Sequence, residues 1–222
     1  MEFKKFLSFL GPPGCGKGTQ APKVTDKYQL QFLSTGDVFR QAIKDETDLG
    51  KKAKDFVSNG KLVPDSIVID MISERIFEEV KKTEGILFDG FPRTYTQAIA
   101  LDKMLQKFRA RVHAVISFDV PDSVLFERIT GRLTHIPSGR TYHKTFKPPK
   151  IPMKDDVTGE DLVQRKDDTP EYLTRRLKEF HENADLIKDH YRKLGVLISV
   201  NANQSINSVT NEVLTSINKL LK

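Results

Sequence analysis

The stretch Phe6-Leu7-Ser8-Phe9-Leu10-Gly11-Pro12-Pro13-Gly14-Cys15-Gly16-Lys17-Gly18-Thr19 constrains this chain more than any other. An apolar run breaks into a glycine-rich turn, and a lysine stands where a helix should begin. Glycines let consecutive backbone N–H groups converge on one point, and the N-terminus of the following helix adds partial positive charge. Both features suit a phosphate chain, with Lys17 reaching its outer phosphates. The spacing Gly11-x4-Gly16-Lys17 is the P-loop pattern, except that Gly18 takes the place of the usual hydroxyl and Thr19 follows one position later. That shift leaves direct magnesium coordination by Thr19 open.

Downstream, strands and helices alternate. Residues 31–37 read as a short strand running into a helix start, with Ser34 or Thr35 as cap. Helices are predicted over 38–44, 49–58 (closed by Asn59-Gly60) and 67–80. No strand is evident between them, so 34–63 looks like a helical insertion between two strands. Gly85-Ile86-Leu87-Phe88-Asp89 is a strand ending in an aspartate at the edge where a parallel sheet gathers its ligands, and a carboxylate there can hold magnesium directly or through water. A helix is predicted over 94–108, a strand over 112–118 and a helix over 123–133. From Gly131 to Asp168 prolines and glycines break any long helix, and Arg140 to Phe146 suggests a small antiparallel piece; so long a connection reads as functional. Thr169 caps a long helix to about Lys193, a last strand covers 196–200, and Ile206, Val209, Val213 and Ile217 line one face of a terminal helix. Parallel strands need such helical crossovers, so the expected core is a parallel sheet covered on both faces.

At 222 residues the chain can bury a sizeable core as one domain with insertions. Its net charge of +6 is interspersed rather than gathered in a basic stripe, which favours small polyanionic substrates over nucleic acid. No apolar run approaches the roughly 18 residues of a membrane span. The single Cys15 excludes an internal disulfide and a cysteine zinc cluster, and with no cleaved presequence expected, the reading is a cytoplasmic protein.

Gly11-Pro12-Pro13-Gly14-Cys15-Gly16-Lys17-Gly18-Thr19-Gln20, Ser34-Thr35-Gly36-Asp37, Gly60-Lys61-Leu62-Val63, Asp89-Gly90-Phe91-Pro92-Arg93 and Arg165-Lys166-Asp167-Asp168 together resemble the motif set of the adenylate kinases, over nearly the whole chain. The resemblance implies a P-loop NTPase α/β fold with a five-stranded parallel sheet and helices on both faces. The core would comprise 1–33, 64–130 and 169–222, carrying a helical AMP-binding insertion (34–63) and a long lid (131–168). It also implies a monomer that transfers the γ-phosphoryl of MgATP reversibly to AMP, giving two ADP. By resemblance Gly14, Cys15, Gly16, Lys17, Gly18 and Thr19 hold the donor phosphates, and Arg132, Thr141, Tyr142 and the backbone near Gln204 lie by its base. Arg128, Arg132, Arg165 and Arg176 converge on the transferring phosphoryl, with Asp89 in magnesium's outer shell. Arg40 and Arg93 clamp the AMP phosphate, joined by Arg165 and Arg176. Thr35, Lys61, Leu62, Val63, Gly90, Phe91, Pro92 and Gln97 complete the acceptor site, with Gln97 hydrogen-bonding the base.

Phosphoryl transfer spreads charge over the moving group's oxygens, so several cations must meet around it, and arginine's planar fork suits phosphate. GTP as donor, or UMP and CMP as acceptors, are the neighbouring alternatives; Thr35 and the long lid favour AMP. A P-loop switch protein that hydrolyses nucleotide slowly is the alternative from another class, and it has no need of Arg40, Arg93 and Gln97. Relatives with a zinc lid carry cysteines where this chain has His135, Ser138, Asp155 and Thr158. Hydroxyls are poor zinc ligands, so a hydrogen-bonded network without zinc is expected there.

Overall fold

Lys5–Leu10 forms strand β1, and beyond the partly exposed Lys5 every one of its residues is buried. Successive side chains of a strand point to opposite faces, so a strand apolar at nearly every position must be covered on both. The computed structural model describes residues 4–59, 61–79 and 82–221. Along them run α1 (Lys17–Tyr28), β2 (Gln31–Ser34), α2 (Thr35–Lys44), α3 (Asp48–Ser58), α4 (Asp65–Glu79), β3 (Gly85–Asp89), α5 (Tyr95–Gln106) and β4 (Ala114–Asp119). Then come α6 (Asp122–Thr130), β5 (Arg132–Thr134), β6 (Thr141–His143), α7 (Pro170–Lys193), β7 (Leu197–Asn201) and α8 (Ile206–Leu220). Gly60 and Val80, at the expected ends of α3 and α4, lie outside the described residues.

Five strands form one sheet in the order β2-β3-β1-β4-β7, every neighbouring pair parallel, as the alternation of elements predicts. Phe6, Ile86, Phe88 and Val115 face one side, against Ile72 and Ile76 of α4, Leu101 of α5 and Tyr191 of α7. Leu7, Phe9, Ile116 and Phe118 face the other, against Val24 of α1, Leu125 of α6 and Val213 and Ile217 of α8. Truncating a fully buried ring such as Phe6 to alanine in such a core costs about 3–5 kcal/mol.

Hydroxyl caps set where several helices start. Ser34, Thr47, Thr94, Thr169 and Ser205 each accept the N–H three residues on, a bond worth about 1 kcal/mol apiece. The N-terminus of α1 differs, because its cap is Gly16, with φ 105°, and its first turn carries no acidic residue. Its partial charge is therefore left for a ligand.

One boundary corrects the sequence reading. The apolar pattern predicts a helix from 123 to 133, but α6 stops at Thr130 and Arg132 opens β5 instead. Gly131 is where the chain leaves the core, and a Cβ there would sit 2.3 Å from His143 Nε2. Strand pairing of Arg132 with His143 and of Thr134 with Thr141 outweighs the helical periodicity of Leu133. Arg132 thereby belongs to the antiparallel module rather than to the core helix before it.

Candidate active site

The carboxyl ends of β1 and β3 lie side by side at the point where the chain stops adding strands on one side of β1 and crosses to the other. Open parallel sheets bind ligands at such switch points. A cleft of about 1290 Å³ opens there. It exceeds the ~300–1,000 Å³ usual for one small ligand and suits two.

The glycine turn forms its floor. Gly14 and Gly16 take φ of 81° and 105°, a left-handed backbone that a side chain disfavours, and this turns the loop around a centre. Lys17 Nζ lies across that turn, donating to the carbonyls of Gly11 at 2.7 Å and Pro12 at 3.0 Å. Thr19 and Gly18 line the cleft behind it. Cys15 is buried, and burial raises its thiol pKa despite the nearby Lys17 charge, so it is a packing group rather than a reactive thiolate.

Asp89 ends β3 beside the loop, with its carboxylate in no ion pair among the described residues. Next to it Gly90 carries φ 75°, and a Cβ there would meet Arg93 Nη2 at 2.7 Å and Thr35 Oγ1 at 2.8 Å. The glycine lets both approach: Thr35 Oγ1 donates to the Gly90 carbonyl at 2.8 Å and Arg93 Nε to the same oxygen at 2.9 Å. Pro92, Gln97, Lys61, Leu62 and Val63 line this end of the cleft. Phe91 does not: its side chain is fully buried and tilted against Phe88 in the core. The sequence assigns it to the acceptor site as part of Gly-Phe-Pro-Arg, but as an apolar ring it is claimed by the sheet face.

The arginines come from separate parts of the chain. Arg40 belongs to α2 and is paired with Asp37. Arg128 of α6 donates to the Ala202 carbonyl at 3.1 Å. Arg132 of β5 forms a two-pronged pair with the buried Asp168, one prong at 2.8 Å. Arg165 follows the antiparallel module, and Arg176 of α7 contacts Asp167 at 3.2 Å. Arg93, Arg165 and Arg176 lie close to other guanidiniums. Burial, with Arg40 and Arg132 close by, brings Arg165 down to about 10. Burial, with Arg93 and Arg132 close by, does the same to Arg176. Burial also lowers Arg93, with Asp89 opposing and Arg40 assisting. Arg165 Nε is buried with no hydrogen-bond partner among the described residues. An unpartnered buried cationic donor is costly, and a polyanion is what would relieve it.

Thr141, Tyr142 and Arg132 bring the antiparallel module over the other end of the cleft, where Gln204 also lines it. Within that module the four positions singled out in the sequence meet. His135 Nδ1 lies 2.6 Å from Ser138 Oγ, and Asp155 Oδ2 accepts from Thr158 Oγ1 at 3.0 Å. Asp155 also takes both prongs of Arg140, at 2.9 and 2.7 Å, and the Tyr142 hydroxyl at 3.0 Å. The Arg140 bonds, more than any other cause, hold its carboxyl far below the usual carboxylate range. Arg140 and Glu160, which bonds His135 Nε2 at 2.6 Å, escape the sequence reading because neither occupies one of the four spaced positions.

A glycine turn at a sheet's switch point, with cations gathered from α2, α6, β5, α7 and the loops between them, defines a P-loop enzyme that moves a phosphoryl group between two nucleotides. The comparisons narrow that class. A family model described as adenylate kinase matches residues 9–196. An adenylate kinase of Malassezia globosa is 46% identical over 214 residues, covering 96% of this chain and 84% of that protein. Adenylate kinase 4 of Arabidopsis thaliana is 47% identical over 209 residues, covering 94% and 85%. An adenylate kinase of Kluyveromyces lactis is 44% identical over 213 residues, covering 96% and 94%. This chain belongs to the adenylate kinase family. Among the described residues no helix is long and apolar enough to cross a membrane.

Proposed function

We propose that the cleft binds ATP on the glycine turn and AMP between α2 and β3, and carries the family's reversible magnesium-dependent transfer giving two ADP. An oxygen of the AMP phosphate attacks the γ-phosphorus, the bond to the β–γ bridging oxygen breaks, and ADP leaves. No covalent enzyme intermediate is needed. The observation that carries this reading is the convergence of arginines that share no element on the space between loop and β3, where burial first, and neighbouring guanidiniums after it, lower Arg93, Arg165 and Arg176.

In this assignment Lys17 and the N–H groups of Gly14 to Thr19 hold the donor phosphates. Arg128, Arg132, Arg165 and Arg176 neutralise charge on the group in flight, and Arg40 and Arg93 fix the acceptor phosphate. Thr35, Lys61, Leu62, Val63, Gly90, Pro92 and Gln97 surround the acceptor base. Arg132, Thr141, Tyr142 and Gln204 flank the donor base. Adenylate kinases use magnesium with ATP, and the carboxylate of Asp89, in no ion pair among the described residues, is a hard oxygen donor of the kind that ion takes, directly or through water. When bound, the ion supplies neutralisation of phosphate charge.

Residues 1–33, 64–130 and 169–222 serve as the core, with 34–63 and 131–168 closing on the substrates to exclude water. The lid is stapled by its polar network without zinc, because both Asp155 oxygens are already engaged by Arg140, Tyr142 and Thr158. We take the chain to act as a monomer, as the family resemblance implies. A single buried cysteine accords with a cytoplasmic setting.

A coupled assay for ADP across donors and acceptors tests the reading. ADP should form from MgATP only when AMP is present. Equal turnover with UMP or CMP would overturn the adenine assignment, and ATP hydrolysis independent of any acceptor would overturn the transferase reading.

A further inference from the structure

Gln97 lines the acceptor end of the cleft, yet its side-chain amide is held from behind by two groups of opposite character. Its Oε1 accepts from the Arg93 backbone N–H at 2.8 Å, and its Nε2 donates to Asp65 Oδ1 at 2.7 Å. The other oxygen of Asp65 accepts from Thr94 Oγ1 at 2.9 Å. A backbone N–H can only donate and an ionised carboxylate can only accept. These partners therefore dictate which end of the amide is oxygen and which is nitrogen, whatever the cleft contains. Gln97 is about 1% exposed, so the amide has little room to exchange its ends.

An amide so fixed keeps one oxygen lone pair and one N–H for a ligand. That pattern complements a purine bearing a 6-amino donor beside an unprotonated N1 acceptor. A 6-oxo purine presents the reverse, an oxygen beside an N1–H, and meets like against like on both atoms. We propose that Asp65 is a positioning residue that sets acceptor specificity, locking the Gln97 amide in the orientation that accepts 6-amino purine monophosphates and rejects 6-oxo ones. The proposal rests on the placement of the acceptor base beside Gln97. It extends that reading to a residue that touches no substrate and whose plain structural role is a negative charge in the first turn of α4.

The test compares steady-state kinetics with AMP and IMP as acceptors, at saturating MgATP, for the parent enzyme and for Gln97→Ala, Asp65→Ala and Asp65→Asn. Without the carboxylate, one of the amide's two anchors is gone. Asp65→Ala should raise KM for AMP and lower the AMP-to-IMP ratio of kcat/KM by about tenfold, with kcat for AMP within about twofold of the parent. Asparagine keeps an acceptor oxygen for Gln97 Nε2 but loses the charge. Asp65→Asn should thus recover most of the ratio, even where its melting temperature falls as far as that of the alanine variant. If Gln97→Ala changes neither KM for AMP nor the ratio, the base does not lie beside Gln97 and the acceptor-site reading fails. If Gln97→Ala moves both while Asp65→Ala leaves the ratio unchanged, the site stands and the positioning role of Asp65 is overturned. A ratio that follows thermal stability across the Asp65 variants, with asparagine no better than alanine, overturns it as well.

Discussion

Replacing Arg176 by glutamine should make the ligand-free enzyme more stable while disabling it. Arg176 falls from the ordinary guanidinium value to about 10, chiefly through burial and then through the charges of Arg93 and Arg132. That difference corresponds to about 3 kcal/mol of penalty for keeping the guanidinium charged in the fold. The side chain is 25% exposed and its 3.2 Å contact with Asp167 is lost in the variant, so screening and that loss trim the expected gain to about 1 kcal/mol. Asp167 stays compensated, because Arg132, Arg40 and Arg165 also face it. For a 222-residue chain this is a rise of about 2–4 °C in melting temperature. The sign follows from linkage. The folded value lies below the unfolded one, so the penalty is complete at neutral pH and fades as pH climbs above about 10 towards the ordinary guanidinium value. Forward kcat should fall by about 10²–10³, the cost of removing one charge-stabilising donor. Differential scanning calorimetry at pH 7.5 and a coupled ADP assay read the two effects. A melting temperature lowered by about 2 °C or more would show that Arg176 supports the fold rather than awaiting an anion. Retained turnover would remove it from the mechanism.

Further outcomes test neighbouring parts of the account. Lys17→Met should abolish transfer while far-UV circular dichroism stays that of the parent, since among the described residues its ammonium bonds only to its own loop. Gly131→Ala forces a methyl toward His143 at the junction of α6 and β5 and should cost about 1–3 kcal/mol in urea unfolding. Asp155→Asn removes the charge and one of the two oxygens that accept from Arg140 and should make 131–168 the first segment cleaved in limited proteolysis. Because the folded Asp155 carboxyl is held low, its contribution is whole above the ordinary value of 3.8 and is lost only as pH falls well below it. Residues 131–168 of the parent should therefore stay protease-resistant at pH 5.

Much of this was legible in the chain. Alternation of apolar runs with helical periodicity fixes a covered parallel sheet, and the glycine turn with Lys17 locates the cleft at the end of β1. Hydroxyls placed before helical runs, as at Ser34 and Thr169, mark starts that the structure reproduces. What escaped is whatever depends on tertiary pairing. Leu133 fits the helical pattern of α6, yet β5–β6 pairing claims it. Phe91 stands in a site motif, yet a fully apolar ring is buried in the core. Asp65 shows only as a carboxylate at a helix start, because its partners Thr94 and Gln97 lie about thirty residues away and no local spacing marks the contact. Asp168 stands in a motif run, but that it would hold Arg132 needed the fold.

A crystal structure with two adenosines joined through a chain of phosphates tests the central claim most directly. The phosphates should run from the N–H groups of the glycine turn, past Lys17 and the Arg132, Arg165 and Arg176 guanidiniums, to Arg40 and Arg93, with one adenosine on each side. A molecule bound elsewhere, or a phosphate chain touched by Lys17 but not by those arginines, would contradict it.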